Sequence, residues 1–139
     1  MSTDNPDVTL EHRILHIRFN RPEKKNAFNR AGWLGLRDAL VRAREDDEVS
    51  VVVLSGAGKD FSAGVDLTDF AGDPSEQPPF EQMMDELCKL DKPLLAAAKG
   101  VAIGFGATAL FHCDVVYVGE SLRMRLPFAL DHINLWLLR

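Results

Sequence analysis

Two short apolar runs constrain this chain most, Val49 to Leu54 and Leu94 to Ala98, because each ends at once in a glycine-bearing turn, Ser55-Gly-Ala-Gly and Lys99-Gly. Neither run is long enough for an ordinary helix. Nearly all-apolar runs of this length read as strands covered on both faces. Such strands need helices to cover them, and two candidates lie at the right places. From Asn29, a plausible N-cap, Trp33, Leu36, Leu40 and Ala43 recur at helical spacing. Asp38 and Arg42 sit four apart on another face, and Arg42 and Arg44 suit the negative end of the helix dipole. Phe80, Met83, Met84, Leu87 and Leu90 mark a second amphipathic helix, with the two methionines as core filling. Strands alternating with helices predict an α/β architecture.

The remaining punctuation is consistent with that class. Val8 to Glu11 and Ile14 to Phe19, broken by His12-Arg13, predict an antiparallel hairpin that Arg21-Pro22 ends. Ala71 to Pro79 reads as a loop, Lys92-Pro93 as a helix breaker, the stretch up to His112 as a short helix, and Val115 to Val118 as a strand. No internal repeat is present. The 139 residues, 46% hydrophobic, suit one domain spanning 1–139. A net charge of −5 disfavours nucleic acid and anionic membranes as partners. Met1 to Asp7 lacks the features of a leader, and no apolar run reaches about 18 residues, so a soluble cytoplasmic protein is expected. Cys88 and Cys113 are read as buried free thiols, and no metal site is expected. His112 reads as a core histidine, and His12 and His16 as strand-surface residues.

"FSAGVDL", from Phe61 to Leu67, follows the first turn. Ser62, Ala63 and Gly64 keep bulk away from the backbone, so the N–H of Val65 can face a ligand oxygen while Asp66 caps a following helix. A tight strand-to-helix connection without a ligand explains the same residues. A second turn, "KGVAIGFGAT", with Gly100, Gly104 and Gly106, repeats the arrangement. Two such turns can aim two amides at one oxygen, and one donor of this kind is worth about 3–4 kcal/mol in a transition state. A dinucleotide site competes, since Gly104 to Ala109 matches G-x-G-x-x-A and Glu120 is available as the ribose acid. Only about eight residues then precede the next strand, too few for the crossover helix of such a unit. Ser62 as a nucleophile lacks the G-x-S-x-G elbow.

"RPEKKNAFN" (Arg21 to Asn29), "VVVLSGAGKDFSAGVDL", "DKPLLAAAKGVAIGFGATALFHCDVVYVGES" and "RMRLPF" together resemble the crotonase, or enoyl-CoA hydratase/isomerase, superfamily, over Val8 to Phe128. The resemblance implies a crotonase-like spiral of ββα units and an acyl-CoA thioester as the substrate, with coenzyme A part of that substrate and no separate cofactor. It implies an oxyanion hole from the backbone N–H groups of Val65 and Phe105. It places Lys24, Lys25, Ala27 and Phe28 against coenzyme A, with Lys59, Ala63, Gly64, Asp66, Leu67 and Gly104. It also implies a homo-oligomer acting in fatty-acid metabolism.

The proton-moving groups depart from that pattern. The two positions at which hydratases of the family carry glutamate hold Thr108 and Phe128, and the isomerase "PE" pair, expected near Trp136, is absent. Residues 129–139 leave the pattern, so the resemblance reads as a domain shortened at its C-terminus. Asp131 and His132 are the nearest ionisable replacements, or simply a solvated pair. Two readings follow: an acyl-CoA-binding protein of hydratase or isomerase type with weak or absent turnover, or a non-catalytic fragment that self-associates through its apolar tail, Ile133 to Leu138.

Overall fold

A computed structural model describes residues 4–69 and 75–127 of the chain. In chain order they form β1 (Asp7–Glu11), β2 (Ile14–Phe19), a 3-10 turn (Pro22–Lys24), α1 (Arg30–Glu45), β3 (Val51–Gly56), α2 (Pro79–Lys89), β4 (Leu94–Ala98), β5 (Val101–Ile103), α3 (Phe105–Phe111), β6 (Val115–Val118) and β7 (Arg123–Arg125). Phe128, Asp131, His132, Trp136 and the apolar tail lie outside the described residues, as does part of the loop expected from Ala71 to Pro79.

β1 and β2 pair antiparallel with Glu11 opposite Ile14, leaving His12 and Arg13 as a two-residue loop. Both residues have positive φ, 50° and 67°, as a type I′ turn requires to match the twist of its strands. Arg13 accepts the strained position with compensation: its guanidinium donates to Ser50 Oγ at 2.9 Å and to the Asp47 carbonyl at 2.8 Å. β2, β3, β4 and β6 then run parallel, giving a five-stranded sheet in the order β1-β2-β3-β4-β6. The helices α1 and α2 are the crossovers. Asn29 caps α1, its Oδ1 accepting from Gly32 N at 2.9 Å. At the other end Lys92 Nζ donates to the carbonyls of Ala43 and Asp46 at 2.6 and 2.8 Å. Arg42 pairs with Asp46 rather than with Asp38.

Leu15, Ile17, Val52, Leu54, Leu94 and Ala96 share one cluster with Trp33, Leu36, Leu40, Met83 and Leu87 from the two helices. The methionine at 83 is fully buried, as core filling requires. One expectation fails here. Val51 and Val53 of β3 and Leu95 of β4 are only half-buried and Ala97 is exposed, so both strands alternate despite their nearly all-apolar sequences. The described helices cover one face of the sheet; an apolar run reports propensity for a strand, not the number of layers over it.

Three smaller corrections belong to the same structure. Cys88 is exposed and Cys113 half-buried, so neither is a fully buried thiol. Burial and the neighbouring Asp114 push the Cys113 thiol up to about 11, which leaves it protonated and unreactive at neutral pH. His112 ends α3 exposed to solvent and is not a core residue. Val101–Ile103, expected as part of a turn, is a strand that pairs parallel with β7 in a second, two-stranded sheet. A three-residue strand is below the length at which alternation is readable. Among the described residues, no helix is long and apolar enough to cross a membrane.

Candidate functional site

The two glycine turns meet. Phe61 N and Ser62 N both donate to the Val101 carbonyl, at 3.1 and 3.0 Å, and Ile103 N returns a bond to the Ser62 carbonyl at 3.0 Å. "FSAG" therefore runs parallel beside β5, with Ser62 bridged to Ala102. Ser62 is fully buried; its hydroxyl donates to the Asn26 carbonyl at 2.8 Å and accepts from Gly64 N at 3.0 Å. This serine braces the turn. A nucleophile would need an exposed Oγ and a base.

The direction of the Val65 amide follows from peptide geometry. The Gly64 carbonyl accepts from Phe28 N at 2.7 Å, and Asp66 N donates to the Phe28 carbonyl at 2.9 Å. In a planar trans peptide C=O and N–H point opposite ways, so the Val65 N–H points away from Phe28. The start of α3 lies close to Gly64. A Cβ placed on Gly64 would sit 2.7 Å from the Ile103 carbonyl oxygen and 3.2 Å from Phe105 N. Standard backbone dimensions then keep the nitrogens of Val65 and Phe105 within about 7 Å of each other. Phe105 is the first residue of its helix, where N–H groups lack an intrahelical acceptor. Among the described residues neither amide has a hydrogen-bond acceptor. Gly64 has φ +85°, and Gly106 has no room for a side chain because a Cβ there would overlap the Ser62 carbonyl.

Behind these amides stands an aromatic cluster. The Phe105 ring contacts Trp33, Phe28 and Phe80 edge-on, with centroids at 5.0, 5.6 and 5.8 Å. Phe28 stacks on Trp33 at 4.4 Å and meets Phe19 at 4.9 Å. The N-terminus of α3 is thus held by its first side chain. The rim is built by Asn26, which is buried and sits at φ 55°. Its Nδ2 donates to the carbonyls of Ala57 and Asp60, at 2.9 and 2.8 Å, and its Oδ1 accepts from Arg21 N at 2.9 Å. Asn26 thereby docks the corner that carries Lys24 and Lys25 onto the turn that carries Lys59, and all three lysines are exposed.

A family model for enoyl-CoA hydratase/isomerase matches residues 9–134. The chain belongs to that family. Among its relatives, the mitochondrial Delta(3,5)-Delta(2,4)-dienoyl-CoA isomerase of Rattus norvegicus is 34% identical, over 82% of this chain and 40% of its own. The 2,3-dehydroadipyl-CoA hydratase of Escherichia coli K12 is 37% identical, over 86% and 48%. A crystal structure of an enoyl-CoA hydratase/isomerase from Pseudoalteromonas atlantica T6c superposes with a TM-score of 0.85 at 40% identity, over 90% of this chain and half of that one. The chain thus spans roughly half the length of the relatives it matches, and the α/β spiral expected from the resemblance is the fold it has.

Within this family member the other anticipated residues are distributed unevenly. Gly64, Ala63, Asp66 and Leu67 line the same loop as Val65, but several of their polar groups are already used. Ala63 N donates to the Lys25 carbonyl at 2.9 Å, and Gly104 N donates to the Arg125 carbonyl at 3.1 Å. Phe28 commits both backbone groups and its ring to the protein. The Ala27 carbonyl accepts from Arg21 Nη1 at 3.3 Å. Leu67 is 75% exposed. Asp66 does not cap a helix: its Oδ1 accepts from Thr68 N at 3.0 Å and Thr68 Oγ1 at 2.7 Å in an Asx turn. Its Oδ2 accepts from Arg21 Nη1 at 2.6 Å. That bond, with those from Thr68, holds the Asp66 carboxyl well below the usual carboxylate range. Burial opposes charge on Arg21, but Asp66 and Asp4 outweigh it and raise its affinity for the proton.

Thr108, at one of the two family glutamate positions, donates its hydroxyl to the Phe105 carbonyl at 3.3 Å and has no basic function. The dinucleotide alternative also falls away, since the helix on the β4–β6 crossover, α3, is seven residues long, too short for the helix of such a unit. Sequence reasoning missed Arg21 and Asn26 as site-building residues. Their signal was present in the unusual pairing of "RP" with an asparagine five residues on, a spacing that lets a side-chain amide close a turn.

Proposed function

We propose that this chain binds an acyl-CoA thioester and stabilises the enolate form of its carbonyl between the amides of Val65 and Phe105, chemistry of enoyl-CoA hydratase or isomerase type. The observation that carries the reading is the close approach at Gly64, where even a methyl group would lie 3.2 Å from Phe105 N. It is supported by the lack of an acceptor for either amide among the described residues. Oriented amides in a partly dry site stabilise a developing oxyanion without reorganising, which is where such donors act most strongly. The exposed Lys24, Lys25 and Lys59 supply cationic charge at the rim for the phosphates of coenzyme A, in a chain of net charge −5.

A proton must still move, and Thr108 cannot take it at neutral pH. Tight binding with weak or absent hydration is therefore the expected behaviour. Calorimetric titration with crotonyl-CoA and with free coenzyme A tests the first part: both bind, and the thioester binds more tightly. Absence of binding by either at millimolar concentration refutes the reading. Loss of the enoyl absorbance of crotonyl-CoA tests the second, and rapid hydration would show that a base outside the described residues serves the site.

A second reading, self-association, is favoured by β6. Among the described residues this strand ends the sheet, and its Tyr117 and Val118 are 65% and 62% exposed, the combination that invites edge pairing. Sedimentation velocity that gives a monomer across a hundredfold concentration range removes it.

A further inference from the structure

We propose that Arg21 is a positioning residue for the Val65 amide, acting through the carboxylate of Asp66. The inference rests on the proposed role of that amide. It starts from an asymmetry in how the loop is held. On the N-terminal side of Val65 the chain is fixed by buried partners: Gly64 N on Ser62 Oγ and the Gly64 carbonyl on Phe28 N. On the C-terminal side Asp66 N bonds the Phe28 carbonyl at 2.9 Å, and beyond it the chain is exposed. Val65 is 44% exposed, Leu67 is 75% exposed, and Thr68 and Asp69 also face solvent. Asp66 is held through its backbone by Phe28 and, at 3.2 Å, by Asp69 N, which bonds its carbonyl; its side chain supplies the link from this stretch to the corner that carries Lys24 and Lys25.

That side chain divides its oxygens. Oδ1 closes the local turn with Thr68, while Oδ2 reaches across 45 residues to Arg21 Nη1 at 2.6 Å. The pair is shielded, with side-chain exposures of 15% for Arg21 and 11% for Asp66, so solvent screens it far less than an ordinary surface ion pair. Arg21 is itself immobilised. Nη1 also donates to the Ala27 carbonyl at 3.3 Å, Nε lies 3.4 Å from Asp4 Oδ1, and the backbone N–H is held by Asn26 Oδ1 at 2.9 Å. The guanidinium fork is what allows one side chain to serve Asp66, Ala27 and Asp4 together. A lysine at this position keeps the charge but loses the fixed directions.

Arg21 thus ties the corner bearing Lys24 and Lys25 to the loop bearing Val65, joining the end that meets phosphates to the end that meets the carbonyl. Removing the tie loosens the Asp66 end of the loop, leaving the Gly64–Val65 peptide that carries the Val65 N–H held on its other side alone and free to tilt, while Asn26 still docks the lysine corner. The expected signature is a split: affinity for the coenzyme A moiety is kept while polarisation of the thioester carbonyl is lost.

The test uses crotonyl-CoA labelled with 13C at the thioester carbonyl. Difference infrared spectra are recorded for the intact chain, Arg21→Gln and Arg21→Lys, alongside calorimetry with free coenzyme A. A ligand-free readout is the residual dipolar coupling of the Val65 N–H, with that of Phe105 as internal reference. Expected in Arg21→Gln is a coenzyme A Kd within about twofold of the parent, loss of more than half the carbonyl frequency shift, and a changed coupling at Val65 only. Arg21→Lys recovers part of the shift. A full carbonyl shift with unchanged Val65 coupling in folded Arg21→Gln overturns the inference. So does a parallel fall in coenzyme A affinity and carbonyl shift, since that is general loosening. If the parent shows no shift but Val65 reorients in Arg21→Gln, positioning stands and the role proposed for the amide fails.

Discussion

Replacing Gly64 by alanine perturbs the account at its narrowest point. The residue sits at φ +85°, and holding an L-residue in such a conformation costs about 1–3 kcal/mol. The added methyl group also meets the Ile103 carbonyl oxygen at 2.7 Å, tighter than real carbon–oxygen contacts. That carbonyl belongs to β5, whose Ile103 amide is bonded to Ser62, so the strand cannot simply swing away. Relief must come from the Gly64–Val65 peptide moving outward by several tenths of an ångström. We expect a total destabilisation of about 2–4 kcal/mol, within the range of strained and overpacked sites. The displacement carries the Val65 amide away from Phe105, and misplacement on the scale of 1 Å costs on the order of a hundredfold in a positioned reaction. Urea unfolding measures the first effect. Calorimetry measures the second, as loss of the preference for crotonyl-CoA over free coenzyme A while coenzyme A itself still binds. An alanine variant within about 0.5 kcal/mol of the parent that keeps the preference would refute the argument.

Other outcomes follow from the same contacts. Asn26→Ala strands two carbonyls and the Arg21 amide in the interior and should cost about 2–4 kcal/mol by urea titration, with coenzyme A affinity falling as the lysine corner undocks. Phe105→Ala removes the ring that anchors α3 and should cost about 3–5 kcal/mol, although the amide it leaves behind is chemically unchanged. Because the Asp66 carboxyl is lowered in the folded chain, its contribution is fully present above the unfolded value of about 4 and is lost as pH falls below it. Asp66→Asn should therefore destabilise at pH 7 by about 1–2 kcal/mol and by progressively less from about pH 5 to pH 3, measured by thermal or urea unfolding across that range.

The sequence revealed most where a residue's own chemistry decides its place. Asn29 capped the helix it was expected to cap, the His12-Arg13 break became a hairpin loop, and the apolar runs became parallel strands. The glycines marked both turns because no other residue fits Gly64 or Gly106. What stayed hidden depended on distant partners. The asparagine five residues on hints at how the Arg21 backbone is held, but the partner of its guanidinium, Asp66, arrives 45 positions later. The missing elbow argued against Ser62 as a nucleophile, but its role as a brace is visible only once Asn26 is seen beside it. Burial of His112, Cys88 and the outer face of β3 was misjudged for one reason: burial is decided by what the rest of the chain lays over a residue, which residue type alone does not encode.

The central claim is that one thioester oxygen can be held by two main-chain amides from separate turns. A crystal structure of the chain with a non-hydrolysable acyl-CoA analogue tests it most directly. The account predicts the carbonyl oxygen about 3 Å from both Val65 N and Phe105 N. An oxygen bonded to only one of them, or an acyl group seated elsewhere while coenzyme A still contacts the lysine rim, would contradict it.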